Sequence, residues 1–140
     1  MSHHRARLVA KGFLQTAGID YEETFAPLAR LDSLRLLLAL AARFDLEVHQ
    51  IDIKSAYLNG NLDEELYMDQ PEGFTVQGKE GKVCKLSQAI YGLKQAGRQW
   101  HAHLHDTLSM LGFQENLAGD VSIFIKCDDG GPPHHCARLC

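Results

Sequence analysis

Residues 48–60 read VHQIDIKSAYLNG, and the reading of this stretch decides the fold. An apolar-alternating run leads into Asp52. The aromatic Tyr57 follows five residues later, and Asn59-Gly60 closes the segment as a turn. The pattern predicts a strand over 46–53 and a short turn or helix over 54–60. A strand end is a rigid place to hold a functional carboxylate. An Asp after a strand is also a common turn-starter, because its side chain bonds the backbone just ahead of it. Spacing alone leaves both roles for Asp52 open, and ordinary packing at a strand–helix junction accounts equally well for Tyr57.

On the N-terminal side, residues 6–14 alternate weakly and predict a strand with Gly12 as a bulge. Gly18, Pro27 and clustered acids predict a loop over 16–31. Asp32 is placed to N-cap a helix over 33–44. Leu34, Leu36, Leu37, Leu38, Leu40 and Phe44 leave that helix almost no polar face, so it is expected to be buried on most sides. On the C-terminal side, 64–70 and 82–86 predict two short strands joined by the Pro/Gly-rich stretch 71–81. A second helix is predicted over 95–111, with Trp100, Leu104, Leu108 and Leu111 on one face and Gly112-Phe113 as its C-cap. Residues 120–126 predict a strand. Hairpins mixed with packed helices give an α+β fold class.

The 140-residue length suits one domain or part of a larger one, and 45% hydrophobic residues suffice for a core. A net charge of −4 counts against a free-standing nucleic-acid binder, which is usually basic, though not against one subdomain of a larger enzyme. The sequence has no run of 18 apolar residues and no signal-like N-terminus, so an intracellular protein is expected, cytoplasmic or nuclear, with no membrane association. Cys84, Cys127, Cys136 and Cys140 are then expected as free thiols.

Five segments occur in a telling order: RARLVAKGF at 5–13, DYEETFAP at 20–27, the stretch around Asp52, EELYMDQPEGF at 64–74 and YGLKQAGRQW at 91–100. Together they resemble the reverse transcriptase of copia-like LTR retrotransposons, over residues 5–126. The resemblance implies fingers and a partial palm of an RNA-directed DNA polymerase, truncated before the catalytic hairpin. The partners it implies are an RNA or DNA template-primer and a deoxynucleoside triphosphate (dNTP). The cofactor it implies is Mg²⁺, held in the complete enzyme by three aspartates.

By the same resemblance, Asp52 descends from a catalytic metal ligand. Two-metal phosphoryl transfer uses carboxylates to hold ions roughly 3.5–4 Å apart, clamping the attacking and leaving oxygens. Tyr57 would stand where a ribose 2′-hydroxyl would clash, which excludes ribonucleotides. The resemblance makes the basic residues Arg5, Arg7 and Lys11 those of a fingers strand that meet the triphosphate, with solvated surface charge as the alternative. They share a parity, so an unbulged strand would put them on one face. Gln95 would border the nucleotide site, with Gly92 permitting close backbone approach. Related sequences usually carry proline where this chain has Gly97, and glycine there loosens the helix start by up to ~1 kcal/mol. Trp100 is expected in the core. The acidic run Asp63, Glu64, Glu65, Asp69 and Glu72 reads as a solvated face.

Residues 127–140, CDDGGPPHHCARLC, change character and are expected to form a disordered or loosely attached tail outside the resemblance. Asp128-Asp129 reads as a turn, not as the family's aspartate pair, because no apolar return strand follows it. The isolated chain is therefore expected to be inactive, as a truncated or frameshifted piece of a retrotransposon polyprotein. Two other classes stay open: a non-catalytic remnant that binds nucleic acid or protein, and a small metal-binding protein using Cys127, His134, His135, Cys136 and Cys140. Strands 47–52 and 120–126 are expected to lack a neighbour, so self-association through exposed strand edges is expected as well.

Overall fold

The computed structural model describes residues 4, 6–116 and 119–126, and the backbone of 138–139. Its elements are helix α1 (Leu31–Phe44), strands β1 (Tyr67–Met68) and β2 (Cys84–Lys85), helix α2 (Ala96–Met110), and strands β3 (Gln114–Glu115), β4 (Ile123–Ile125) and β5 (Arg138–Leu139). Short 3-10 turns occupy Gly12–Leu14 and Ala56–Asn59. The mixture of helices and small antiparallel sheets agrees with α+β. The chain divides into two compact units, Met1–Ala26 with Ser55–His103, and Pro27–Lys54 with Leu104–Cys140.

In the first unit, β1 and β2 pair antiparallel as the sequence predicts, Tyr67 opposite Lys85 and Met68 opposite Cys84. The loop between them is organised by one side chain. The Gln70 amide donates to the carbonyls of Lys79 and Lys82 at 2.6 and 2.7 Å and accepts the Val76 N–H at 2.8 Å. Leu66, Ala89, Leu93 and Ala96 form the apolar core, flanked by Ala10, Leu62, Leu86 and Ile90.

The strand predicted over 6–14 is not formed. Val9 makes a single parallel bridge to Tyr91, and the Ala10 N–H donates to the Tyr91 carbonyl at 2.7 Å. The chain then winds into the turn at Gly12. This glycine is a close-approach point rather than a bulge, since a Cβ there would lie 1.9 Å from the Gly92 carbonyl oxygen. The parity argument that put Arg5, Arg7 and Lys11 on one strand face therefore fails with the strand.

In the second unit, α1 begins one residue before the predicted cap. Arg30 is the N-cap, with no capping bond from its own side chain. Asp32 instead sits inside the first turn, where its charge suits the helix dipole, and pairs with Arg35 at 3.4 Å. The capping role passes to a distant residue. Asp120 accepts the Arg30 N–H at 2.9 Å and the Ser122 N–H at 3.0 Å.

The expected burial of α1 is not found, because none of its residues is buried. Only a narrow strip at Ser33, Leu37 and Ala41, spaced by four, is half-covered, and its other leucines face outward. The predicted strand over 46–53 is likewise absent: Val48, Ile51 and Ile53 are exposed and make no ladder. Alternation sustains a strand only where a neighbour takes up its N–H and C=O groups.

Helix α2 runs close to its predicted span and buries Ala96, Gln99 and Leu108. It ends as predicted at Gly112 (φ +84°). Phe113 N–H donates to Leu108 O at 3.0 Å and Gly112 N–H to Ser109 O at 2.9 Å, the paired bonds of a Schellman cap. The predicted strand over 120–126 condenses to β4, and it does not lack a neighbour. It is the central strand of three, antiparallel to β3 on one side and β5 on the other. Two residues of the C-terminal stretch, Arg138 and Leu139, thus supply an edge that the sequence did not reveal.

Candidate nucleotide site

Two side chains of the first unit, Tyr57 and Arg7, meet at Tyr91. The Tyr57 ring stands edge-on to the Tyr91 ring, with centroids 5.6 Å apart and planes at 79°. The Arg7 guanidinium carbon lies 5.6 Å from the Tyr91 centroid on its face. Both geometries are attractive, because an aromatic face is electron-rich and an edge or a cation complements it. Tyr57 is carried by the Ala56–Asn59 turn, which starts from Ser55 in the left-handed region (φ 56°). Arg7 and Tyr57 are exposed and Tyr91 is half-buried, so the cluster presents a cation and a phenol to solvent.

Gln95 behaves differently. It is fully buried, with 0% exposure. Its amide oxygen accepts from the Gln15 Nε2 at 3.0 Å, and its Nε2 donates to the Asp20 carbonyl at 2.9 Å and reaches Glu64 at 3.5 Å. Gln15 in turn accepts the Lys94 N–H at 2.8 Å. The Lys94 ammonium lies 3.1 Å from the Tyr21 hydroxyl. Gln95 therefore joins three distant segments of the unit and has no polar atom directed outward. Gly92 (φ +92°) packs against the Ala10 carbonyl, where a Cβ would lie 2.2 Å from the oxygen. Lys11 is exposed. Arg5 lies outside the described residues, as do Cys127, Asp128, Asp129, His134, His135, Cys136 and Cys140.

The acidic run is only partly a solvated face. Asp63 accepts from Gln99 Nε2 at 2.9 Å and lies 3.6 Å from Arg98. Glu65 pairs with Lys85. That hydrogen bond holds the Glu65 carboxyl below its ordinary range and raises the Lys85 ammonium. An open cleft of about 320 Å³ lies between 62–65 and 85–87, and no residue assigned to the nucleotide site lines it.

Asp52 is exposed, in the second unit. Among the described residues, no group of three His, Cys, Asp or Glu side chains is placed to hold a metal ion. A two-metal site needs several carboxylates around the ions, so the described residues do not by themselves fit one. Trp100 is half-buried beside His103, with ring centroids 6.2 Å apart.

Sequence comparison then decides the family. The profile described as reverse transcriptase (RNA-dependent DNA polymerase) matches residues 1–131. The chain belongs to the reverse transcriptase family. It is 57% identical over 98 residues to the retrovirus-related Pol polyprotein from transposon TNT 1-94 of Nicotiana tabacum, covering 70% of this chain and 7% of that protein. It is 42% identical over 125 residues to the Pol polyprotein from transposon RE1 of Arabidopsis thaliana, covering 89% of this chain and 8% of that protein. Similarity extends to the transposon Ty1-ER2 Gag-Pol polyprotein of Saccharomyces cerevisiae, at 31% over 126 residues, 86% of this chain and 7% of that protein. No solved structure matches. The chain thus corresponds to a section of the reverse transcriptase domain of copia-like retrotransposon polyproteins and spans less than a tenth of the length of these relatives. Among the described residues no helix is long and apolar enough to cross a membrane.

The residue that sequence reasoning passed over is Tyr91. It stood inside the quoted motif YGLKQAGRQW, but nothing in a single sequence pairs a ring at 91 with one at 57. Gln15 was missed for the same reason, since its bond to Gln95 spans 80 residues.

Proposed function

We propose that the chain is the fingers and first part of the palm of an RNA-directed DNA polymerase, with residues 5–126 as the polymerase section and 127–140 outside it. The observation that carries this reading is the cluster of Arg7, Tyr91 and Tyr57, all within the family match. A cation and a phenol held side by side are the groups that a triphosphate and an adjacent sugar require. In this reading Arg7, with Arg5 and Lys11, meets the phosphates of the incoming dNTP, and Tyr57 stands against its sugar. Gln95 supports the site from behind by tying the segment that carries Tyr91 to Gln15, Asp20 and Glu64.

The family's chemistry uses divalent metal ions, and Asp52 is read as one Mg²⁺ ligand of the complete enzyme. Asp52 alone cannot form the two-ion clamp, which is worth several kcal/mol of transition-state stabilisation, each ~1.4 being tenfold in rate. The isolated chain is therefore proposed not to extend a primer. Incubating residues 1–140 with a primed template, the four dNTPs and Mg²⁺ or Mn²⁺ should give no product above background. Extension that disappears in Asp52→Ala would overturn the proposed inactivity while strengthening the role of Asp52.

A further inference from the structure

The proposed site leaves one question of mechanics. Tyr57 sits on a four-residue 3-10 turn, and Arg7 on a segment that forms no ladder beyond the single bridge at Val9. Among the described residues no carboxylate pairs with Arg7. Neither mounting fixes the direction of its side chain. Tyr91 is mounted firmly: its carbonyl accepts the Ala10 N–H at 2.7 Å, and its residue pairs with Val9. The next residue, Gly92, is packed so tightly on Ala10 that a Cβ would lie 2.2 Å from the Ala10 carbonyl oxygen. From this fixed backbone one ring neighbours both exposed groups, with Arg7 over it and the Tyr57 ring nearly perpendicular to it.

We propose that Tyr91 is a positioning residue that sets sugar discrimination, holding the Tyr57 ring and the Arg7 guanidinium in one arrangement so that triphosphate contact and 2′-hydroxyl exclusion act on the same bound nucleotide. This rests on the nucleotide reading given above. The ring, not the hydroxyl, carries the role, because one contact is a cation over the ring and the other a perpendicular ring–ring pair. Removing the ring releases Tyr57 to swing away from the sugar. It also frees the Arg7 side chain, whose ordering must then be supplied from the binding energy of the ligand. A ribonucleotide is no longer excluded, while both nucleotides lose the same part of their phosphate contact. The ratio of the two affinities is the quantity that Tyr91 controls.

The chain contains four tyrosines, Tyr21, Tyr57, Tyr67 and Tyr91. Uniform 3-fluorotyrosine labelling gives each a fluorine resonance, assigned by single Tyr→Phe variants. dATP and ATP, each with Mg²⁺, are titrated into the 140-residue chain. The Tyr57 resonance of the wild type should shift with dATP at lower concentration than with ATP. In Tyr91→Leu the dATP-to-ATP affinity ratio should fall by roughly three- to tenfold, the scale of losing one aromatic pair, since the lost cation–π contact weakens both nucleotides alike. Tyr91→Phe should retain the wild-type ratio, which a requirement for the hydroxyl would not allow. Unmoved Tyr21 and Tyr67 resonances report that the unit stays folded, and Tyr91→Met, which fills the volume without a ring, replaces Leu where they move. A wild-type preference for dATP that persists unchanged in Tyr91→Leu and Tyr91→Met overturns the positioning role alone. A wild-type chain in which neither nucleotide shifts Tyr57 overturns the nucleotide reading, and this inference falls with it.

Discussion

The surroundings of Gln95 and the surroundings of α1 are built on opposite terms. Gln95 is a polar side chain with no exposure, and each of its amide atoms has a partner within the first unit. Helix α1 is leucine-rich nearly all round, and none of its residues is buried. A residue type that prefers water is enclosed, and one that avoids water is not. Hydrogen bonding resolves the first case, since a buried amide is stable when satisfied and costly when not. Nothing among the described residues resolves the second, so the exposed leucines of α1 contribute little to the stability of the chain. Apolar content by itself is therefore a poor guide to where this protein is held together.

The largest effect should come from disturbing the packed backbone around Gln95. Gly92→Ala adds a Cβ 2.2 Å from the Ala10 carbonyl at a φ of +92°, and neither backbone can yield cheaply. A loss of about 3 kcal/mol or more is expected by urea denaturation, from the clash and the strained conformation together. Next comes Gln95→Leu, which keeps the volume but strands the Gln15 amide and the Asp20 carbonyl. A loss of about 2–3 kcal/mol should follow, from desolvated groups left without partners. A neutral result would mean that water or a shifted Gln15 takes over the lost bonds. The contrast between enclosed polar and exposed apolar regions would then lose its energetic basis.

The parts of the fold that were legible in the sequence are those set by local chemistry. Trp100, Leu104 and Leu108 recur at helical spacing, and α2 forms there with its Gly112 cap. The β1–β2 pair follows from two short strand patterns around a Pro/Gly-rich loop. The location of α1 was legible for the same reason. Its burial was not, because a sequence states what a helix would bury but not whether a neighbour is present to bury it. The strands expected over 6–14 and 46–53 failed on that point too: alternation is a request for a partner. In the candidate site, Arg7, Tyr57 and Gln95 were found only through family resemblance. The long-range contacts that organise them, Tyr57 to Tyr91 and Gln15 to Gln95, leave no trace in one sequence.

Asp120 tests whether the second unit also has a satisfied polar centre. Its carboxyl is held down at about 2, against an ordinary 3.8, chiefly by the Arg30 N–H, then by the Ser33 hydroxyl and the Ser122 N–H. A depressed carboxyl pKa means that the folded state prefers the ionised form. The resulting stabilisation is fully present above the unfolded pKa near 4 and is lost as pH falls through about 2. Helicity of the wild type should therefore decline between pH 4 and pH 2. Asp120→Asn should be less stable at neutral pH and show a flatter acid profile over that interval, read by circular dichroism. An unchanged acid profile in the variant would place the acid sensitivity elsewhere and remove Asp120 as the cap of α1.

The smallest effect on stability, and the sharpest test of the contrast, belongs to α1 itself. Leu36 is 61% exposed. Leu36→Gln exchanges one good helix former for another and removes almost no contact, so the denaturation midpoint should move by no more than ~0.5 kcal/mol. Self-association should respond more strongly. β4 is paired on both sides, and the 46–53 segment forms no ladder among the described residues. The outward leucines of α1 present an apolar face, and such faces favour association. Sedimentation velocity should show fewer oligomers for Leu36→Gln than for the wild type at equal concentration. A loss of more than ~2 kcal/mol would instead be the cost of opening a packed position, and would mean that α1 is covered in solution. The difference between the two regions would then be one of partner rather than of design, since α1 would be buried as its sequence demands.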